Sequence, residues 1–225
     1  MLWKNTLIGK EIKDMGSIGN FNAIYEIWTD KDAKKEYSKY DYDVTSPEWR
    51  DSTKYVGGGY YSSIQRALFT GEMKQSTFRD GIVDMTPYIK NLDKSMRSLS
   101  KNVQLVRTLT YDQVENNIGI KFDTIQKITD SGSTDYKVLD KMVGKTFSRK
   151  GYMSTSYQES QNAMQGAQVM FEIKVPKGTK AIVTGNKMES EIILNRGLKY
   201  KITGYRVKTL TGTRKQVIVE AKIIN

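Results

Sequence analysis

The chain has 225 residues, and burial scaling at that length allows a self-sufficient core in one large domain or two small ones. It contains neither cysteine nor histidine, which excludes disulfides, thiolate and imidazole metal ligands, thiol nucleophiles and imidazole bases. The formal charge of +11 falls almost wholly after residue 100: residues 1–100 carry 15 Lys+Arg against 14 Asp+Glu, and residues 101–225 carry 21 against 11, a field suited to an anionic ligand, a nucleic acid or an acidic protein.

In chain order, residues 1–20 lack the apolar centre of a signal peptide, and no apolar run reaches the length of a membrane span. The spacing of apolar residues in FNAIYEIWTDKDAKKEYSKY (21–40) predicts a helix. YYSSIQRALFTGE (60–72), after a triple glycine, predicts a second helix. TPYIKNLDKSMRSLS (86–100) predicts a third, with Thr86 as N-cap and proline in the first turn. After residue 101 the pattern changes to short segments rich in β-branched and aromatic residues. VQLVRTLT (103–110), TFSRKGYMSTS (146–156), QVMFEIKVP (168–176), EIILN (191–195), KYKITGYRVKTL (199–210) and RKQVIVEAKIIN (214–225) each read as one strand. Between the first two, YDQVENN (111–117) and DYKVLDKMVGK (135–145) suit short helices around a loop, TDSGST (129–134). Helices first and strands afterwards predict an α+β fold, and no linker near residue 100 divides it.

Three features could carry chemistry. Arg107 interrupts an apolar strand, Ser154, Thr155 and Ser156 form a hydroxyl triplet, and Glu189 and Glu191 flank Ser190 at the entrance to the strand EIILN. In an extended chain residues two apart share a face, so the two carboxylates stand side by side and need a cation, hydrogen bonds or a substrate to offset their repulsion. Each feature also has an ordinary structural explanation: an edge arginine, a strand end with satisfied hydroxyls, and a solvated acidic face.

In this order and setting, the residues resemble the bacterial and phage mono-ADP-ribosyltransferase toxins with an Arg, Ser-Thr-Ser, Glu-x-Glu signature, such as the enzymatic components of binary actin-modifying toxins and the vegetative insecticidal proteins. The resemblance runs through GYYSSIQRALFTGE, YIKNLDKSM, VQLVRTLT, GKTFSRKGYMSTSY, MFEIKVPKGTKAIV and MESEIILNRGLKYKITG. It implies an α+β ADP-ribosyltransferase fold of two facing, mainly antiparallel sheets with flanking helices and a cleft for NAD between them. Residues 58–225 would form the catalytic domain and residues 1–57 a helical extension or cap, together one compact unit.

The resemblance also implies roles. Arg107 pairs with the NAD diphosphate, and Thr108 beside it joins the cofactor-binding set. Ser154 holds the catalytic carboxylate, while Thr155 and Ser156 brace the nicotinamide pocket. Glu191 binds the ribose 2′-hydroxyl and stabilises positive charge at the anomeric carbon. Glu189 faces the acceptor; in this family Glu at that position goes with arginine acceptors and Gln with asparagine. Tyr61 and Gln65 match a helix position that lies against NAD, where the family has Asn in place of Gln65. Tyr157 is the sole aromatic of the following loop. NAD is implied as co-substrate, with no metal. The implied acceptor is a host protein, with actin or a transcription or translation protein as candidates, modified by a monomer that is secreted or delivered into a host cell. A nucleic-acid acceptor, water as acceptor, and a non-catalytic binding module of the same fold are the alternatives.

Overall fold

The computed structural model describes residues 24–40, 43, 45–56, 59–109, 114–115, 119–130, 135–159, 168–184, 190–210 and 214–224. Glu189 and most of YDQVENN and of the TDSGST loop lie outside the described residues.

Helix α1 covers Asp30–Tyr37, nine residues later than the apolar spacing predicts. Thr29 caps it: Asp32 N–H donates to Thr29 Oγ1, and the Thr29 N–H donates to the Asp32 carboxylate at 2.9 Å. The residues before it run along the sheet instead, where the Gln104 N–H donates to Glu26 O at 2.9 Å and Trp28 is buried. Backbone pairing with a neighbour outweighs a helical pattern that carries no cap of its own.

Helix α2 (Pro47–Val56) starts on a proline, with Ser46 Oγ accepting the Trp49 N–H at 3.1 Å. Helix α3 (Tyr61–Thr70) ends where Gly71 takes φ 82°, the left-handed conformation that closes a helix at little cost to glycine. A hairpin of β1 (Lys74–Thr77) and β2 (Gly81–Asp84) leads into α4 (Thr86–Ser95), whose N-cap is Met85 rather than Thr86. Asp84 Oδ1 accepts the Thr86 N–H at 2.9 Å, so the acid takes the capping task expected of the threonine. Two further helices, α5 (Phe122–Asp130) and α6 (Lys137–Asp140), lie among the strands.

The remaining strands are β3 (Arg97–Ser98), β4 (Val103–Thr108), β5 (Thr146–Ser148), β6 (Met153–Ser156), β7 (Val169–Val175), β8 (Lys180–Val183), β9 (Glu191–Leu194), β10 (Lys199–Thr209) and β11 (Lys215–Ile224). They follow the order β3-β8-β9-β6-β4-β7-β11-β10-β5, antiparallel throughout except for β7 with β11. One residue pair, Val106 with Ser156, joins β4 to β6. The sheet therefore divides there into two halves. Leu105, Phe171 and Val219 from one half share a core cluster with Met153, Val183 and Ile192 from the other, so the halves face each other. Fully burying each such side chain stabilises the fold by roughly 1.5–3 kcal/mol. Tyr152, Ile182 and Ile193, one position off in each strand, point to the opposite face and pack against Tyr55, Ile64 and Leu92 of α2, α3 and α4.

TFSRKGYMSTS is two strands rather than one. Its first part pairs with β10 at the far edge and its last part with β9 in the other half. Residues 149–152 cross between the halves, carrying Arg149 to the place where they separate. Among the described residues no helix is long and apolar enough to cross a membrane.

Candidate functional site

The junction of the two halves gathers residues from four elements. Arg107, next to last in β4, donates from Nη1 to Ser154 O at 2.5 Å and from Nη2 to Tyr61 Oη of α3 at 3.3 Å. Its Nε is buried and has no hydrogen-bond partner among the described residues. The Ser154 hydroxyl donates to Glu191 Oε1 at 2.5 Å. Glu191 opens β9, lies opposite Ser156 in the ladder and is 5% exposed. Arg107, Ser154 and Glu191 therefore converge although they are 84 positions apart at the extremes. The three strands are neighbours only in the folded sheet.

The other hydroxyls hold backbone. Thr155 Oγ1 donates to Ile192 O at 2.6 Å across the β6–β9 ladder, and Ser156 Oγ donates to Gln158 O at 2.8 Å and accepts the Gln158 N–H at 3.2 Å. Thr108 is buried at the end of β4 beside Met170.

Ser190 has φ 48°, in the left-handed region that non-glycine residues adopt at a cost of about 1–2 kcal/mol. The chain is thus not extended through Glu-Ser-Glu, and the expectation that residues two apart share a face there does not apply. The turn aims Glu191 into the ladder: Tyr157 N–H donates to Ser190 O at 3.0 Å and fixes the turn against the end of β6. Nothing in the local sequence marks this conformation, since glycine or asparagine would be its usual signal.

On α3, Tyr61, Gln65 and Phe69 succeed one another at four-residue intervals and share one face. Gln65 is buried, and its Nε2 donates to Tyr55 Oη and to Tyr152 O, both at 2.7 Å. A Cβ added to Gly151 would lie 1.9 Å from Gln65 Oε1, so the absence of a side chain at 151 makes room for that amide. Burial pushes the Tyr55 hydroxyl well above its ordinary range. Tyr157 turns away from the junction: its hydroxyl donates to Asp30 Oδ1 of α1 at 2.8 Å, and burial leads the causes that raise its pKa.

Sequence reasoning passed over Arg149. It is 5% exposed, donates from Nε to Tyr152 O at 3.1 Å and places its guanidinium 5.6 Å from the Phe69 ring centroid. In the sequence it is one of several cations before a glycine, with no signal to single it out.

Among the described residues no cluster of Asp or Glu could hold a metal ion. The residues offer instead a forked cation and a buried carboxylate positioned by a hydroxyl, groups suited to an anion and to developing positive charge.

The chain is similar to several known proteins. The epidermal cell differentiation inhibitor of Staphylococcus aureus is 25% identical over 147 residues, which are 59% of this chain and 58% of that protein. The ADP-ribosylating toxin BECa of C. perfringens, solved with NADH, superposes with a TM-score of 0.63 at 22% identity, over 86% of this chain and 47% of that one. Plx2a, an ADP-ribosyltransferase toxin from Paenibacillus larvae, gives a TM-score of 0.62 at 24% identity, over 87% of this chain and 94% of its own. This chain thus spans less than two thirds of the first two proteins. The structural likenesses establish the α+β fold, and the ADP-ribosyltransferase exoenzyme model matches residues 29–225. The chain belongs to the ADP-ribosyltransferase exoenzyme family.

Proposed function

We propose that this chain transfers ADP-ribose from NAD to an arginine side chain of a host protein, releasing nicotinamide. The observation that carries the reading is the 2.5 Å contact of Ser154 Oγ with Glu191, on the same residue whose carbonyl receives Arg107. A carboxylate held in one rotamer beside a guanidinium is the preorganised electrostatic arrangement that this substitution at carbon needs.

Arg107 fits the diphosphate of NAD, since its Nε has no protein partner among the described residues and a guanidinium has five donors. Tyr61 holds that guanidinium in place. Thr108, Thr155 and Ser156 keep the strand ends in register, and Gln65 ties α3 to β6 on the cofactor side. Glu191 accepts from the ribose 2′-hydroxyl and stabilises positive charge at C1′ while the C1′–nitrogen bond breaks and its electron pair leaves with nicotinamide. The acceptor nitrogen then forms the new bond to C1′, and Glu189 takes the proton that nitrogen sheds. The choice of arginine rests on glutamate at position 189. Residues 58–225 act as the catalytic unit with residues 1–57 as its cap, in a monomer that reaches its target by secretion or delivery into a host cell.

Transfer of label from NAD tagged on its adenine part to proteins of bacterial and animal lysates tests the reading, with Glu191→Gln as control. Labelled arginine that falls by about 100-fold or more in the variant supports it, on the scale of losing a preorganised electrostatic group. Nicotinamide release without labelled protein points to hydrolysis or to a target absent from those lysates. A folded chain that neither binds nor cleaves NAD refutes the reading altogether.

A further inference from the structure

We infer that Arg149 is a second diphosphate-binding residue, acting with Arg107 as a two-guanidinium clamp on the phosphates of the dinucleotide; this rests on the NAD reading above. Both arginines lean on one face of α3. Tyr61 receives Arg107, and Phe69, two turns further on, lies beneath Arg149. Between them Gln65 donates to Tyr152 O, the same carbonyl that accepts Arg149 Nε. The result is a row along the helix: cation, amide, cation.

Arg149 is charged, 5% exposed and has no carboxylate partner among the described residues. Among the described residues it donates only from Nε, which leaves both Nη groups for another acceptor. The surroundings are tyrosines and a second cation: burial lowers its pKa most, and the nearby Arg107 lowers it further, while Tyr61, Tyr200 and Tyr55 act the other way. A guanidinium withdrawn from water with no acid of its own, near a second cation, destabilises the protein unless an anion joins it. Elsewhere among the described residues arginines do have acids: Arg196 pairs with Asp93, and Arg206 with Glu172 and Glu220. A diphosphate carries the required charge in a compact form, and forked guanidiniums recognise phosphate oxygens in pairs. The crossover of residues 149–152 between the sheet halves is what brings Arg149 to this place, and the ring of Phe69 and the carbonyl of Tyr152 fix its plane.

The test compares the full chain with Arg149→Gln and Arg149→Lys, using ADP and adenosine as binding probes and nicotinamide release from NAD as the kinetic readout. Arg149→Gln should weaken ADP binding by about 10- to 100-fold, the range for a lost hydrogen bond to a charged group, and leave adenosine binding unchanged. KM for NAD should rise by a similar factor, with kcat within about threefold, the pattern of lost ground-state binding. Arg149→Lys keeps the charge and loses the fork, so it should fall between, and it decides the matter if the glutamine variant fails to fold. Wild-type ADP affinity and KM in Arg149→Lys, with either wild-type binding or an unfolded protein in Arg149→Gln, would overturn the inference and leave Arg149 a structural brace. A wild-type chain that binds neither NAD nor ADP would instead sink the NAD reading itself.

Discussion

Replacing Ser154 by alanine separates the two contacts that meet at this residue. The hydroxyl donates to Glu191 at 2.5 Å, whereas the carbonyl that receives Arg107 belongs to the backbone and survives the substitution. A hydrogen bond to a charged group contributes about 1.5–3 kcal/mol, and its loss frees the carboxylate to leave the rotamer that faces the junction. If Glu191 acts on the transition state, that energy appears as a fall in kcat of about 10- to 150-fold at 25 °C. Because Arg107 keeps its anchor, KM for NAD should change by less than about threefold. Ser154→Thr, which retains a hydroxyl, should recover much of the loss. The assay is initial-rate nicotinamide release across a range of NAD concentrations, with thermal unfolding to verify the fold. An unchanged kcat, or a rise in KM that accounts for the whole effect, would refute the assignment of the Ser154 hydroxyl to Glu191 and of Glu191 to the chemical step.

Two stability predictions concern the supports of the site. Gly151→Ala puts a methyl group 1.9 Å from Gln65 Oε1 and 3.2 Å from Phe69 Cε2, so the Gln65 amide must give up its bonds to Tyr55 and Tyr152. Denaturant unfolding should report a loss of about 1–3 kcal/mol, and an unchanged midpoint would mean that the amide is not held as described. Glu36 concerns acid stability. Burial raises its pKa, but hydrogen bonds from Lys39, Ser100 and Tyr40 outweigh burial and leave it below its ordinary value of 4.5. A carboxyl depressed in the folded state stabilises the protein above its unfolded pKa, and that contribution is lost as pH falls through the folded value. Glu36→Gln should therefore cost about 2 kcal/mol near neutral pH, and the gap between variant and wild type should close as pH falls below the ordinary value of 4.5 and through the lower folded value. A gap that is constant from pH 7 to pH 3 would count against the ionised network.

The amino-acid sequence by itself determined the local elements. The four-residue spacing on α3, its terminal glycine, the proline of α4 and the alternating apolar strands β4, β7, β10 and β11 are short-range signals, and the structure follows them closely. Arg107, Ser154 and Glu191 were legible as candidates for the same reason, because a charged or hydroxyl side chain in an apolar strand stands out from its neighbours. Tertiary structure alone decided which strand lies beside which. It joined two half-sheets at Val106 and Ser156, divided TFSRKGYMSTS between them, and drew residues before Asp30 along β4 in place of a longer helix. It also chose the left-handed turn at Ser190 and buried Arg149 beside Arg107. Local periodicity specifies which way side chains point along one segment, whereas strand partnership, a strained turn and an acid-free cation depend on groups tens of residues away, whose energies exist only once the chain has closed on itself.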